Sequence, residues 1–279
     1  MDHQGSDTLN GLAEARALDK FYTKPEVALS CMDFLRATID PAVLAAHDMW
    51  IEPSAGGGVF LEALPQPRIG IDISPGAPGI VRADFLAWRP DSGVARAIVI
   101  GNPPFGRNAS LAIRFFNHAA LFAERIALIV PRTFQKDSIQ ARLNPAFHLD
   151  AQVILPVDSF EFLGESRAVP TFFQIWSKQA WLRAPRKRST THPHFEFVDR
   201  SRADFAVQRV GVRAGRVKTD LSAIAAASHY FIKSARNPDA LRDAFAHLDF
   251  EFVKHNTAGN PSISKAEMIS IYKRSVGNA

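Results

Sequence analysis

The chain has 279 residues, with 33 Lys+Arg against 28 Asp+Glu and a single cysteine, Cys31. One cysteine excludes an internal disulfide and a cysteine-based metal cluster, and the absence of any run of eighteen apolar residues excludes a membrane-spanning helix. The charge is uneven: residues 1–177 hold 15 Lys+Arg against 19 Asp+Glu, residues 178–279 hold 18 against 9, so the C-terminal third suits a polyanionic partner, nucleic acid first. The polar start, MDHQGSDTLNGLAEAR, lacks the apolar core of a signal peptide, and a cytoplasmic location is expected.

In chain order, residues 1–20 read as a flexible arm. The stretch FYTKPEVALSCMDFL then predicts a helix, with Thr23 and Glu26 at capping-box spacing and Val27, Cys31, Phe34 and Leu35 on one stripe. Strand-like runs follow at 48–52, 68–73, 97–100 and 125–130, with helix-like runs at 59–64, 110–122 and 136–143. Apolar strands alternating with helices predict an α/β fold, a mostly parallel sheet covered on both faces. Two further strands, 151–157 and 170–178, have no helix between them and predict an antiparallel hairpin at the sheet edge. The Arg-, Pro- and Thr-rich segment 181–204 reads as a basic linker, its RKR at 186–188 either solvated or on a phosphate. Residues 205–279 form a small further region, with strand candidates at 205–212 and 229–233 and a helix candidate at 238–248.

The first strand ends in IEPSAGGGVF. An acid followed by a glycine-rich turn and a helix start brings backbone N–H groups close to a ligand. It is not a dinucleotide fingerprint, because Leu61 stands where a third glycine is needed. The next strand ends at Asp72, in GIDIS, where a carboxylate can accept both hydroxyls of a ribose. A third run ends at Asp84, in RADFL, and a fourth at Asn102, in GNPPF. Ligands of such sheets bind outside the carboxyl ends of the strands, so Glu52, Asp72, Asp84 and Asn102 are expected around one site.

The order FYTKPEVA, IEPSAGGGVF, GIDIS, ADF, GNPPF resembles the S-adenosylmethionine-dependent amino-methyltransferases, and within them the DNA adenine-N6 enzymes of gamma motif order. The resemblance covers about residues 20–178 and implies a Rossmann-like methyltransferase fold with a seven-stranded sheet. It implies that 21–180 is the catalytic domain and 205–279 the target-recognition region, whose TAGNPSISK is similar to the closing segment of such regions. It implies that Glu52, Pro53, Ser54, Ala55, Gly56 and Gly58 shape the cofactor's cradle. Asp72, with Ile73, would take the ribose, Asp84 the adenine amino group and Phe85 the adenine ring. Thr23, with Phe21 and Tyr22, would hold the methionine end.

The Asn-Pro-Pro-Phe motif has its own physical reading. An adenine amino group is a poor nucleophile, because its lone pair is delocalised into the ring. Two acceptors aimed at its N–H bonds stabilise the charge that develops as it attacks. Asn102 offers a side-chain oxygen and Pro103 a carbonyl. Pro103 and Pro104 hold both in extended backbone, and Phe105 offers a face on which a flipped base can stack.

DNA is the first substrate expectation. Arg132 and Phe160 are expected near the substrate in the catalytic domain. Arg209, Arg213, Arg216 and Lys218 are expected phosphate or base contacts in the C-terminal region. The same chemistry on ribosomal or transfer RNA, on a protein glutamine, or a non-catalytic nucleic-acid binder are the alternatives. No metal is expected, and a restriction nuclease is a partner the resemblance admits without requiring it.

Overall fold

A computed structural model describes residues 21–162, 165–184, 189–257 and 260–277 of the chain. The chain divides into two units, Met1–Pro185 and Arg186–Ala279.

The first unit opens with the two-residue strand β1 (Tyr22–Thr23) and helix α1 (Pro25–Thr38). The helix does not start as the capping box predicts. Pro25 at the first helical position holds Lys24 extended, at φ −66° and ψ 145°, so Lys24 is the N-cap and no side chain caps it. Thr23 is drawn instead into strand pairing opposite Phe160. There follow α2 (Pro41–Ala45), β2 (Met49–Glu52), α3 (Val59–Ala63), β3 (Arg68–Asp72), β4 (Val81–Arg82) and β5 (Ala97–Gly101). The unit continues with α4 (Ser110–Ala119), β6 (Ala123–Pro131), the single turn α5 (Asp137–Gln140), β7 (Phe147–Ile154), β8 (Phe160–Phe162), β9 (Glu165–Arg167) and β10 (Thr171–Lys178).

Seven of these strands form one sheet in the order β4-β3-β2-β5-β6-β10-β7, and β1, β8 and β9 form a small separate one. Strands β2 to β6 pair in parallel, and β10 runs antiparallel to both β6 and β7. This is the mostly parallel seven-stranded α/β sheet that was expected, with the antiparallel pair at one edge. Two details differ from expectation. Strand β7 begins at Phe147 rather than 151, and the later strand, β10, takes the inner place. Seven of the eight β10 residues are buried, as an interior slot requires, whereas β7 is mostly half-exposed, as an edge tolerates.

Strand alternation sorts the core into two layers. Ile51, Ile71, Val99, Ile126 and Leu128 pack on one side with Ala112, Ile113 and Phe116 of α4. Trp50, Ile98, Ile100, Ala127 and Ile129 pack on the other with Val27, Cys31 and Leu35 of α1.

The second unit has an antiparallel sheet of β11 (Phe195–Val198), β12 (Phe205–Gln208), β13 (Val217–Lys218) and β14 (His229–Ser234), in the order β11-β14-β12-β13. Helices α6 (Pro238–Ala246), α7 (Glu251–Lys254) and α8 (Lys265–Gly277) complete it. Strand β11 lies within 181–204, so that segment is not a linker throughout. Phe195 enters a core with Phe205, Ile232, Phe245 and Tyr272, and Phe197 packs against it. The RKR at 186–188 and the arm 1–20 lie outside the described residues. Among the described residues, no helix is long and apolar enough to cross a membrane.

Candidate active site

The carboxyl ends of β2, β3 and β5, with the loop after β4, meet around a cavity of about 370 Å³, within the range of small-molecule pockets. Phe21, Tyr22 and Thr23 form part of its wall, as do Glu52, Pro53, Ser54, Ala55 and Gly56 at the end of β2. Asp72 and Ile73 enter from β3, Asp84 and Phe85 from the loop after β4, and Asn102, Pro103, Pro104 and Phe105 from the end of β5. Gly58 stands just behind this wall as the N-cap of α3.

Two carboxylates build the glycine-rich turn. Asp72 accepts the N–H of Gly56 through Oδ2 and that of Ser74 through Oδ1, both at 2.7 Å. Each oxygen keeps a further lone pair. Gly56 is left-handed at φ 51°, and a Cβ there would lie 3.1 Å from the Tyr22 ring, so a side chain would be strained and would crowd the cavity wall. Glu52 is 3% exposed and accepts the Leu61 N–H at 2.7 Å, tying β2 to α3. Burial pushes its carboxyl up to about 8; the nearby Asp72 charge adds to this, and the backbone N–H groups of Leu61 and Phe60 oppose it. The Tyr22 phenol is also raised, by burial first and by Asp72 second. Asp84 accepts the Leu86 N–H at 2.9 Å, closing the turn that carries Phe85. The Phe85 ring stacks on Phe115 at 5.3 Å.

Asn102 is held from two sides. Its side-chain Nδ2 donates to the Phe21 carbonyl at 3.0 Å, and the backbone carbonyl of Asn102 accepts from Ser54 Oγ at 2.9 Å. A carbonyl can only accept, so the nitrogen must face Phe21. That leaves Asn102 Oδ1, which is buried and accepts no hydrogen bond. Thr23 Oγ1, in the same cavity wall, is likewise buried with no partner. Buried polar atoms are nearly always satisfied in a folded chain; others here also lack a partner, Thr171 Oγ1 and Asn256 Oδ1 among them, but these two belong to residues that wall one cavity, where a ligand can complete the bonding. After the motif, the Phe105 carbonyl accepts the N–H groups of Leu111 and Ala112 at 3.1 and 3.2 Å, which ties it to α4. The intervening Asn108 and Ala109 are left-handed, at φ 55° and 60°, strain of about 1–3 kcal/mol each of the kind found at functional sites.

Three expected substrate residues sit elsewhere. Phe160 is fully buried among the residues that pack against α1, so it has no open face for a base. Arg132 is outside the cavity wall, with its guanidinium 5.5 Å from the centre of the buried Phe172 ring. Arg209 is turned inward: it donates to the Ala227 carbonyl at 3.2 Å and lies 5.1 Å from the Tyr230 ring. Arg213 and Arg216 are exposed, and Lys218 is half-buried in β13. The expectations omitted Leu111, Arg114 and Phe115 of α4, which also line the cavity. Their i, i+3, i+4 spacing puts them on one helix face, the available signal.

No protein-family model matches the chain, and no curated protein does. Several solved structures are similar in fold to part of this chain. A candidate RNA methyltransferase from Pyrococcus horikoshii matches at 14% identity and a TM-score of 0.44, over 58% of this chain and 88% of its own. The 23S rRNA methyltransferase ErmE matches at 16% and 0.41, over 59% and 71%. The magnesium protoporphyrin IX methyltransferase of Synechocystis PCC 6803, with bound SAM, matches at 12% and 0.40, over 55% and 79%. Likenesses at TM-scores below 0.5 are too distant to assign a substrate. The fold rests on the strand order and the chemistry on the cavity.

Proposed function

We propose that the protein transfers a methyl group from S-adenosylmethionine to the exocyclic N6 amino group of adenine in DNA. The observation that carries this reading is the unpaired, buried Oδ1 of Asn102, held in place by the bond from its Nδ2 to Phe21. An acceptor fixed in a cavity wall next to an aromatic ring suits an amino group on a flat base.

The residues present fit the cofactor. The cavity has a suitable volume, and the left-handed Gly56 leaves its wall open where a side chain would intrude. The Asp72 oxygens have lone pairs for two ribose hydroxyls, and Asp84 keeps a free oxygen for an adenine amino group. The Thr23 hydroxyl is a donor for the methionine carboxylate. S-adenosylmethionine bound here supplies an electrophilic methyl group on a sulfonium.

The rest is done by the chain's own groups. Asn102 Oδ1 and the Pro103 carbonyl accept the two N–H bonds of the target amino group. They localise its lone pair as it attacks, an interaction that strengthens in the transition state. The two prolines fix their aim, and Phe105 holds the plane of the base. The methylated ammonium is acidic and releases its proton without a dedicated base. The excess of 18 Lys+Arg over 9 Asp+Glu in residues 178–279 supports a polyanionic substrate.

Labelled methyl transfer to unmethylated plasmid DNA, total RNA and protein, run side by side, tests the reading. N6-methyladenine in DNA is the expected product. Label on RNA alone would move the same chemistry to RNA, and label on protein alone would overturn the nucleic-acid reading.

A further inference from the structure

The second unit carries a loop, Arg209–Arg216, between β12 and β13, that the chemistry of methyl transfer does not use. Its Val212 is 77% exposed, more than any other large hydrophobic residue described. Single exposed apolar side chains are ordinary, but this one has an unusual support. Lys254 is 7% exposed, and its ammonium donates to the Val212 carbonyl at 3.1 Å while pairing with Glu251. A desolvated ammonium is costly, and here it braces the backbone of the most exposed valine.

The loop is fastened at every side. Gly211 N–H donates to the Pro261 carbonyl, Ile263 N–H to the Arg209 carbonyl and Gly215 N–H to the Gln208 carbonyl, each at 2.8 Å. Gly215 is left-handed at φ 100°, and a Cβ there would come within 2.7 Å of the Phe250 ring, so only glycine lets the loop close onto this core. Around the tip the chain is cationic: Phe205 to Thr219 contains Arg209, Arg213, Arg216 and Lys218 and no acid. Among the described residues, the exposed guanidinium groups of Arg213 and Arg216 have no hydrogen-bond or ion-pair partner. A rigid apolar point flanked by free cations loses little entropy on binding and complements a surface that is anionic with apolar spots inside it.

We propose that this loop is a base-reading tip, in which Val212 contacts the 5-methyl group of thymine in the DNA major groove while Arg213 and Arg216 take flanking phosphates. The thymine methyl is the one apolar feature the major groove displays. RNA lacks it, so such a contact would favour DNA over RNA. The proposal rests on nucleic acid being the substrate, but it concerns binding and not transfer.

The test is filter binding of a long, unmethylated, mixed-sequence duplex made with thymidine or with deoxyuridine throughout, which differ only in the methyl. Wild-type protein should bind the deoxyuridine duplex about fourfold more weakly, the value of one buried methyl. Val212→Ala, whose side chain is too exposed to support the fold, should bind both alike. Equal binding of the two duplexes by wild type, a preference that survives in Val212→Ala, or no DNA binding would each overturn the proposal. Thymine discrimination by a protein that transfers no methyl group would leave it standing and sink the proposed function instead.

Discussion

The polar groups that matter most in the two units are placed differently. Around the first unit's cavity, Asn102 Oδ1 and Thr23 Oγ1 are buried and unpaired, and the Asp72 oxygens are each only partly occupied by backbone N–H groups. In the second unit, Arg209 and Lys254 spend their donors on the backbone, bonding Ala227 and Val212, and the free charges stand outside at Arg213 and Arg216. A site for a small molecule is a set of bonds left incomplete inside the fold. The second unit instead braces a loop from within and leaves its free cations on the outside, the arrangement a polyanion surface would need.

Several substitutions would sharpen or break this contrast. The largest effect is expected where an expected site residue turned out to be core. Phe160→Ala should cost about 3–5 kcal/mol of stability in chemical denaturation, whereas Phe105→Ala, half-buried in the cavity wall, should cost less and lower transfer instead. Asp72→Ala removes the proposed ribose acceptor and frees two backbone N–H groups, so S-adenosylmethionine affinity by isothermal titration should fall about a hundredfold. An unchanged affinity would remove Asp72 from the cofactor site.

Glu52 gives a pH signature. The unfolded carboxyl loses its proton near 4.5 and the folded one near 8. Between those values the folded state holds the extra proton, so stability falls as pH rises, and above about 8 the full cost is present. Glu52→Gln keeps an oxygen for the Leu61 N–H and removes the titration. Its stability relative to wild type should rise by at least about 1 kcal/mol between pH 5 and pH 8.5; parallel curves would contradict the raised carboxyl. The smallest effect belongs to the second unit's surface. Arg213→Ala and Arg216→Ala should each reduce the salt dependence of DNA binding by a slope of about 1, while Arg209→Ala should destabilise the unit more than it changes that slope.

Much of the first unit was legible because its strands are apolar runs that end in polar residues at one edge. The ends at Glu52, Asp72 and Asn102 could be read directly, since a strand's last residue fixes where its side chain emerges. The three-stranded sheet of β1, β8 and β9 could not be read, because elements of two and three residues show no period. That omission misplaced both Thr23, taken for a helix cap, and Phe160, taken for a base contact. The two residues are in fact paired with each other. Leu111, Arg114 and Phe115 were missed because a helix that buries one face and borders a cavity with the next has no sequence mark separating the two. Strand β11 was hidden by composition: its Phe-Glu-Phe-Val alternation sits in a segment dominated by Arg, Pro and Thr.

The central claim, that Asn102 Oδ1 acts on the target amino group and not on the cofactor, is tested most directly by one paired measurement on wild type and Asn102→Ala. S-adenosylmethionine affinity is measured by titration, and the single-turnover rate of methyl transfer to unmethylated DNA is measured with cofactor saturating. The expected result is a dissociation constant within about threefold of wild type and a rate lower by about 10²–10³, the usual loss when one transition-state partner is removed. A variant that binds cofactor normally and transfers at the wild-type rate would contradict it.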